Sequence, residues 1–200
     1  MTSFKDSFYK QKLVEFGPKD VRSLGWGSRH SQEKRFQTIL EAGISSGESV
    51  LDIGCGFGDF AKYLQSKKVD AHYCGIDTNE DFVQIIKKNN PLLTVYNENI
   101  ESHLERNVEY DWVVASGVFC FDEKNWEDSV YEKINHMLLL AKKGVIINFL
   151  SNFFLKKTQK GFRRCYPEEV LKILRSFSTP FLFRHDYLDN DFTVYLLKRE

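Results

Sequence analysis

Three glycines at every second position, Gly54, Gly56 and Gly58 in the stretch VLDIGCGFGD from Val50 to Asp59, follow an apolar run and stand beside the carboxylate of Asp52. Turns of this kind let a backbone approach a ligand closely, and the spacing of the glycines indicates which ligand. A loop that grips a triphosphate ends in Gly-Lys and then Ser or Thr, a sequence absent from this stretch. A dinucleotide turn reads Gly-x-Gly-x-x-Gly, and its last glycine would fall where this chain has Asp59. The alternating pattern leaves backbone amides bare for a close ligand and sets Asp52 near it. That combination suits a zwitterionic or cationic group and repels a pyrophosphate. The next strand-like run closes as GIDTN, with Asp77 where an acidic residue accepts hydrogen bonds from a ribose diol in dinucleotide folds.

These residues need a scaffold that brings strand ends together, and the periodicity supplies one. ESVLDIG, AHYCGID, LLTVYN, YDWVVAS and KGVIINFL read as strands, and DFAKYLQSKK, NEDFVQIIKKNN and NWEDSVYEKINHMLLLA as the helices between them. Alternation of this sort predicts a parallel sheet with crossover helices. After a helix at PEEVLKILRSF, the runs PFLFRHDYL and DFTVYLLKR are joined by so few residues that the pair must be antiparallel. Upstream, SQEKRFQTILEAG is a helix stopped by Gly43, part of a helical appendage that is a candidate lid.

The 200 residues, 42% of them hydrophobic, suffice for one domain with a sizeable core. The 28 basic residues balance 28 acidic ones, so no whole-molecule field draws the protein to nucleic acid or an anionic membrane. The beginning of the chain is charged throughout and no segment approaches a membrane span, so the expected location is cytoplasmic with no membrane partner. Cys55, Cys74, Cys120 and Cys165 are far apart and lack zinc-ligand spacing; they are expected to be free thiols, with no metal site.

Taken together, VLDIGCGFGD, GIDTN, NENI and YDWVVASGVF resemble the successive motifs of the class I S-adenosylmethionine-dependent methyltransferases, over about Ser49 to Leu150. LGWGSRHSQEKRF and RHDYLDNDFTVY are similar to segments of small members of that class. The resemblance implies an α/β, Rossmann-like three-layer sandwich with a seven-stranded, mostly parallel sheet whose last strand is antiparallel. It also implies one domain over residues 1–200, with a helical cap at 1–45, a cofactor-binding core at 46–150, and a helix plus hairpin at 151–200. The implied cofactor is S-adenosyl-L-methionine, leaving S-adenosyl-L-homocysteine as product. Gly54, Cys55 and Gly56 would lie beneath its methionine part, Asp77 on its ribose hydroxyls and Thr78 beside the adenine. Asn99, followed by Ile100, would receive the adenine amino group through its amide oxygen, with Glu98 as the alternative. Ala115 and Ser116 would present backbone near the cofactor's amino group, and Arg35 is a candidate for its carboxylate.

A methyl group already activated on a sulfonium needs mainly alignment, so a dedicated base is optional. His30, His136, His185 and Tyr9 are the base candidates, and no spacing separates them, so no catalytic residue is assigned. ASGVF after the fourth strand replaces the DPPY-like signature of nucleobase aminomethylases. The expected acceptor is therefore a small molecule, methylated by direct in-line displacement. RNA or protein methylation through the basic 156–164 stretch, a dehydrogenase-like Rossmann enzyme and a non-catalytic cofactor-binding module are the alternatives. That stretch sets Lys156, Lys157, Lys160, Arg163 and Arg164 among Phe153, Phe154 and Phe162, suiting either stacked single-stranded nucleic acid, an anionic substrate or a solvated loop. Trp26 is either a core anchor or a cover over the cofactor, and Phe119, Phe121 and Trp126 are either acceptor-pocket or core residues. The sequence leaves the oligomeric state open.

Overall fold

The apolar runs in the middle of the sequence become the centre of a seven-stranded sheet in this computed structural model, which describes residues 4–153 and 160–199. The strands are β1 (Ser49–Ile53), β2 (His72–Asp77), β3 (Thr94–Asn97), β4 (Tyr110–Ser116), β5 (Ala141–Leu150), β6 (Phe181–Leu188) and β7 (Asp191–Leu197). Their order is β3-β2-β1-β4-β5-β7-β6. The first five run parallel, and β7 runs antiparallel between β5 and β6. The expected fold class is therefore present, and the short link around Asp189 and Asn190 is what turns the last strand back.

Alternation along each central strand feeds two cores. Leu51, Val113, Ala115, Val145 and Ile147 point to one face, where α6 (Trp126–Leu140) and α7 (Pro167–Leu174) cover them with Val130, Ile134 and Val170. Val50, Val114 and Ile146 point to the other, beneath α2 (Arg29–Leu40) and α3 (Asp59–Ser66), which contribute Phe36, Ile39, Phe60 and Leu64. Strands buried on both faces read as near-continuous apolar runs, as VIINFL does. Between β2 and β3, α4 (Glu80–Asn89) is capped by the Asn79 side chain, which accepts from Phe82 N, and it buries Val83 and Ile86 against Val95. The short α5 (Ile100–Leu104) spans too little sequence to show a helical period, and the NENI segment instead supplies its N-cap, Asn99. Helix α6 passes directly into β5 at Ala141, so the strand begins four residues before the apolar run VIINFL that marks it.

The N-terminal segment divides in two. The second of its helices, α2, begins at Ser28, whose hydroxyl accepts from Ser31 N at 3.1 Å, and it packs into the layer described above. The first, α1 (Phe4–Phe16), lies across the carboxyl edge of the sheet, with Phe8 and Tyr9 meeting the rings of Phe121, Phe162 and Phe82 at centroid distances of 5.1–5.9 Å. No helix among the described residues is long and apolar enough to cross a membrane. Phe154, Lys156 and Lys157 of the basic stretch lie outside the described residues.

Candidate active site

Strand register decides where the candidate residues meet. Ile53 lies opposite Ile76 in β2 and Ala115 in β4, and Ser116 lies opposite Asn148 in β5, so these strands end in one line. Strand order reverses between β1 and β4, the place where open parallel sheets form their ligand crevice. A cavity of about 560 Å³ occupies it, within the size range of small-molecule sites. Asp52, Gly54, Cys55 and Gly56 line it from the first turn, Asp77 and Thr78 from the end of β2, and Asn99 and Ile100 from the start of α5. Ser116 from β4 and Arg35 from α2 complete the set.

The glycine turn works differently from its sequence-based reading. Gly54 N and Cys55 N both donate to Ile76 O, at 2.8 and 3.1 Å, Gly56 N donates to the Asp77 carboxylate at 2.9 Å, and Gly58 N donates to Cys55 O. These four amides are committed to the protein rather than bare, because the turn winds tightly enough to stitch itself to β2. What the glycines supply is room and a left-handed backbone. A Cβ on Gly54 (φ +70°) would lie 2.8 Å from the Val118 side chain, and one on Gly56 (φ +55°) would lie 2.9 Å from Leu24.

Electrostatics at this end of the cavity favour a cation. Asp52 is buried, and its carboxylate accepts from Tyr73 OH at 2.6 Å. Burial pushes its pKa up to about 7; the carboxylates of Asp77 and Asp59 add to the rise and the Tyr73 hydrogen bond opposes it. Asp77, also raised by burial, accepts from Gly56 N with one oxygen and from Asn79 N at 2.8 Å with the other. A ligand ammonium beside Asp52 would favour its ionised form. Affinity for S-adenosylhomocysteine, which carries that ammonium, is therefore expected to weaken as pH falls below about 7, by up to about tenfold per pH unit, and to level off above it. The stability of the free protein should move oppositely. A carboxyl whose folded pKa is raised binds more protons when folded, so stability from this group declines as pH rises toward 7. Calorimetric titrations in buffers of different ionisation enthalpy, with melting curves at each pH, check both signs.

On the β3 side, Asn99 Oδ1 already accepts from Ser102 N at 2.9 Å and keeps one lone pair for a second donor. Glu98, the alternative, is committed elsewhere. It accepts from Arg106 Nε and Nη2 at 2.8 and 2.9 Å and meets the fully buried His103, whose other ring nitrogen contacts Tyr110 OH.

Arg35 comes with a partner that sequence reasoning missed. Its Nη2 donates to Asp191 Oδ1 at 2.5 Å, and the two side chains are 8% and 0% exposed. The guanidinium stacks on Trp26 at 4.3 Å, and Nε is buried with no hydrogen-bond partner among the described residues. Trp26 thus serves as a cavity wall and as the platform for Arg35. Tyr73 carried no motif signal. Asp191 lies in RHDYLDNDFTVY and Arg35 in LGWGSRHSQEKRF, two segments singled out by resemblance, but nothing in either pairs the two residues, which are 156 positions apart.

Of the base candidates only Tyr9 lines the cavity, and its phenol is pushed well up by burial and by the nearby Cys120 and Asp77. His30 is exposed, His136 sits 3.6 Å from Glu101, and His185 packs against Phe153, Phe183 and Phe192. Phe119 both lines the cavity and joins the core, Trp126 is core and donates to Phe119 O, and Phe121 packs under α1. In the basic stretch, Arg163 pairs with Glu169 at 2.7 Å and stacks on Trp126, whereas Arg164 lines the cavity. The Ser116 hydroxyl is buried without a partner among the described residues, an open position for a ligand's polar group. Acids at the first turn, a cradle only glycine fits and this orphaned hydroxyl together match S-adenosylmethionine better than a diphosphate cofactor.

Residues 50–139 match the family model described as a methyltransferase domain. Protein 235L of Invertebrate iridescent virus 6, which carries a methyltransferase name, is 29% identical over 121 residues, 58% of this chain and 41% of that protein. The match thus spans about two fifths of the length of that curated relative. The solved structure of a SAM-dependent methyltransferase from Archaeoglobus fulgidus superposes with a TM-score of 0.66 at 15% identity, covering 86% of this chain and 95% of that one. That of the plantazolicin methyltransferase BpumL in complex with SAH gives 0.66 at 14%, covering 98% and 96%. At such identities the structural likeness is one of fold.

Proposed function

We propose that this chain is a class I, S-adenosylmethionine-dependent methyltransferase that transfers a methyl group to a small-molecule acceptor by direct in-line displacement, a reading supported by the methyltransferase-domain match over residues 50–139 and by the shared fold. The observation that carries the reading is one cavity whose β1–β2 side gathers Asp52 and Asp77 while its β4–β5 side brings Phe119, Leu150 and Phe162 together with Arg164. When bound, S-adenosylmethionine supplies a methyl group already activated by the sulfonium. The chain's own work is then positioning and exclusion of water.

In this reading Asp52 holds the ammonium, and Asp77, already fixed by two amides, accepts from the ribose diol. Gly54, Cys55 and Gly56 form the floor beneath the methionine part. Thr78, Asn99 and the Ile100 backbone bound the adenine, Ser116 presents its backbone near the ammonium, and Arg35 faces the carboxylate. Helix α1, held by its aromatic contacts across the cavity mouth, acts as the cap of a single domain. A small acceptor is favoured over RNA because α1 and the Lys160–Cys165 segment both line the cavity, through Lys5 and Tyr9 and through Phe162 and Arg164, and because Arg163 N donates to Cys120 O and Asp122 N to Gly161 O, tying that segment to the loop after β4. Arg163, moreover, spends its charge on Glu169.

Incubation with methyl-labelled S-adenosylmethionine and a fractionated cell extract tests the reading. Label is expected in the small-molecule fraction. Label confined to RNA or protein would overturn the acceptor class, and tight S-adenosylhomocysteine binding with no labelled product would favour the non-catalytic module.

A further inference from the structure

Resting on the methyltransferase reading, we infer that the acceptor carries an anionic group, carboxylate or phosphate, and that Arg164 receives it. Three arginines stand around the end of β5, and two are already neutralised. Arg35 has Asp191, and Arg163 has Glu169 together with the Trp126 ring. Arg164 differs. Its Nη1 donates to the backbone carbonyl of Ser151 at 3.1 Å, which orients the side chain without cancelling its charge. No carboxylate among the described residues accepts from it, and the sequence from Asn152 to Tyr166 contains neither Asp nor Glu that could. Glu123, an acid that lines the same cavity, is engaged by Ser129 and Lys133.

A partly buried guanidinium lining a cavity beside apolar surface is costly unless an anion meets it, and its remaining donors form a fork that matches a carboxylate or a phosphate. Trp26, Phe119 and Phe162 line the same cavity and offer contact to a flat apolar body. In the proposed site the cofactor's ammonium is met by Asp52 on the other side of β4 and its carboxylate by Arg35, whose Nε is still without a partner among the described residues, so Arg164 is left for the second substrate. An acceptor seated this way would be held by its anion at β5 with its nucleophilic atom turned toward β4 and β1.

Benzoate and phenyl phosphate, with benzyl alcohol and benzylamine as neutral and cationic controls, are titrated into the full chain saturated with S-adenosylhomocysteine, with binding read by ligand-observed NMR. At least one anion is expected to bind about tenfold or more tighter than both controls, and the preference between the two assigns carboxylate or phosphate. Arg164→Gln should abolish that advantage while S-adenosylhomocysteine affinity stays within about twofold, and Arg164→Lys, a point charge without the fork, should retain part of it. Equal binding of anions and controls, no binding of any small probe, an anion advantage that survives in Arg164→Gln, or binding of a single-stranded RNA oligonucleotide alone would each overturn the inference. Should Arg164→Gln fail to fold, a full benzoate and phenyl phosphate advantage in Arg164→Lys would overturn it as well. Wild-type protein that fails to bind S-adenosylhomocysteine would overturn the methyltransferase reading instead, so the two failures are distinguishable.

Discussion

An Asp77→Ala variant is expected to bind S-adenosylhomocysteine about tenfold to a hundredfold more weakly than the wild type, the loss that corresponds to one or two hydrogen bonds to a charged acceptor. The geometry gives two reasons. The carboxylate is the proposed ribose acceptor, and it also stitches Gly56 N to Asn79 N, fixing the glycine turn against the start of α4. Removing it leaves two amides without partners and loosens the floor on which the methionine part would rest. Asp77→Asn separates the roles, because its amide oxygen can still accept from one amide while the second oxygen is lost. Calorimetry measures affinity and thermal melting reports the fold. A variant that melts normally and binds as tightly as the wild type would remove Asp77 from the site.

The second large effect concerns stability. Asp191→Ala should destabilise the protein by about 3–5 kcal/mol, since it strips the partner from a buried guanidinium and leaves an uncompensated charge. Both side chains are almost fully removed from water, so solvent screening offers little relief. The pair joins α2 to the turn of the β6–β7 hairpin, elements distant in sequence, and its loss should also release the stacking of Arg35 on Trp26. Domains are typically stable by only 5–15 kcal/mol, so such a loss would be plain in denaturant titrations. Asp191→Asn, which keeps one oxygen for Arg35, should cost less. A midpoint shift for Asp191→Ala equivalent to under about 1 kcal/mol would contradict the account of this pair.

The sheet was legible in the sequence because its strands advertise themselves. YDWVVAS and VIINFL are apolar on both faces, as central parallel strands must be, and the short link at Asp189 and Asn190 forces the hairpin. The cavity's location followed from the same reading, since Asp52, Gly54, Asp77 and Ser116 are all strand-end residues whose register brings them together. Less was legible where a residue's role depends on a partner remote in sequence. Nothing in DIGCGFGD shows that its amides are spent on Ile76 O and Asp77, because that commitment arises only when β1 and β2 pair. Nothing in SQEKRF announces Asp191, and nothing in NENI distinguishes Asn99, which caps α5, from Glu98, which is claimed by Arg106 and His103. The basic stretch shows the same limit at single-residue scale. Adjacent Arg163 and Arg164 read identically in sequence, yet one is bound to Glu169 and the other faces the cavity.

The central claim is that the turn after β1 and the acid ending β2 together hold an amino-acid ammonium and a ribose. A crystal structure of the protein grown with S-adenosylhomocysteine tests this most directly. The account predicts the ammonium beside Asp52, the ribose hydroxyls on Asp77 and the adenine against Asn99 and Ile100. S-adenosylhomocysteine bound elsewhere or not at all, with NADH occupying the cavity under the same conditions, would contradict it.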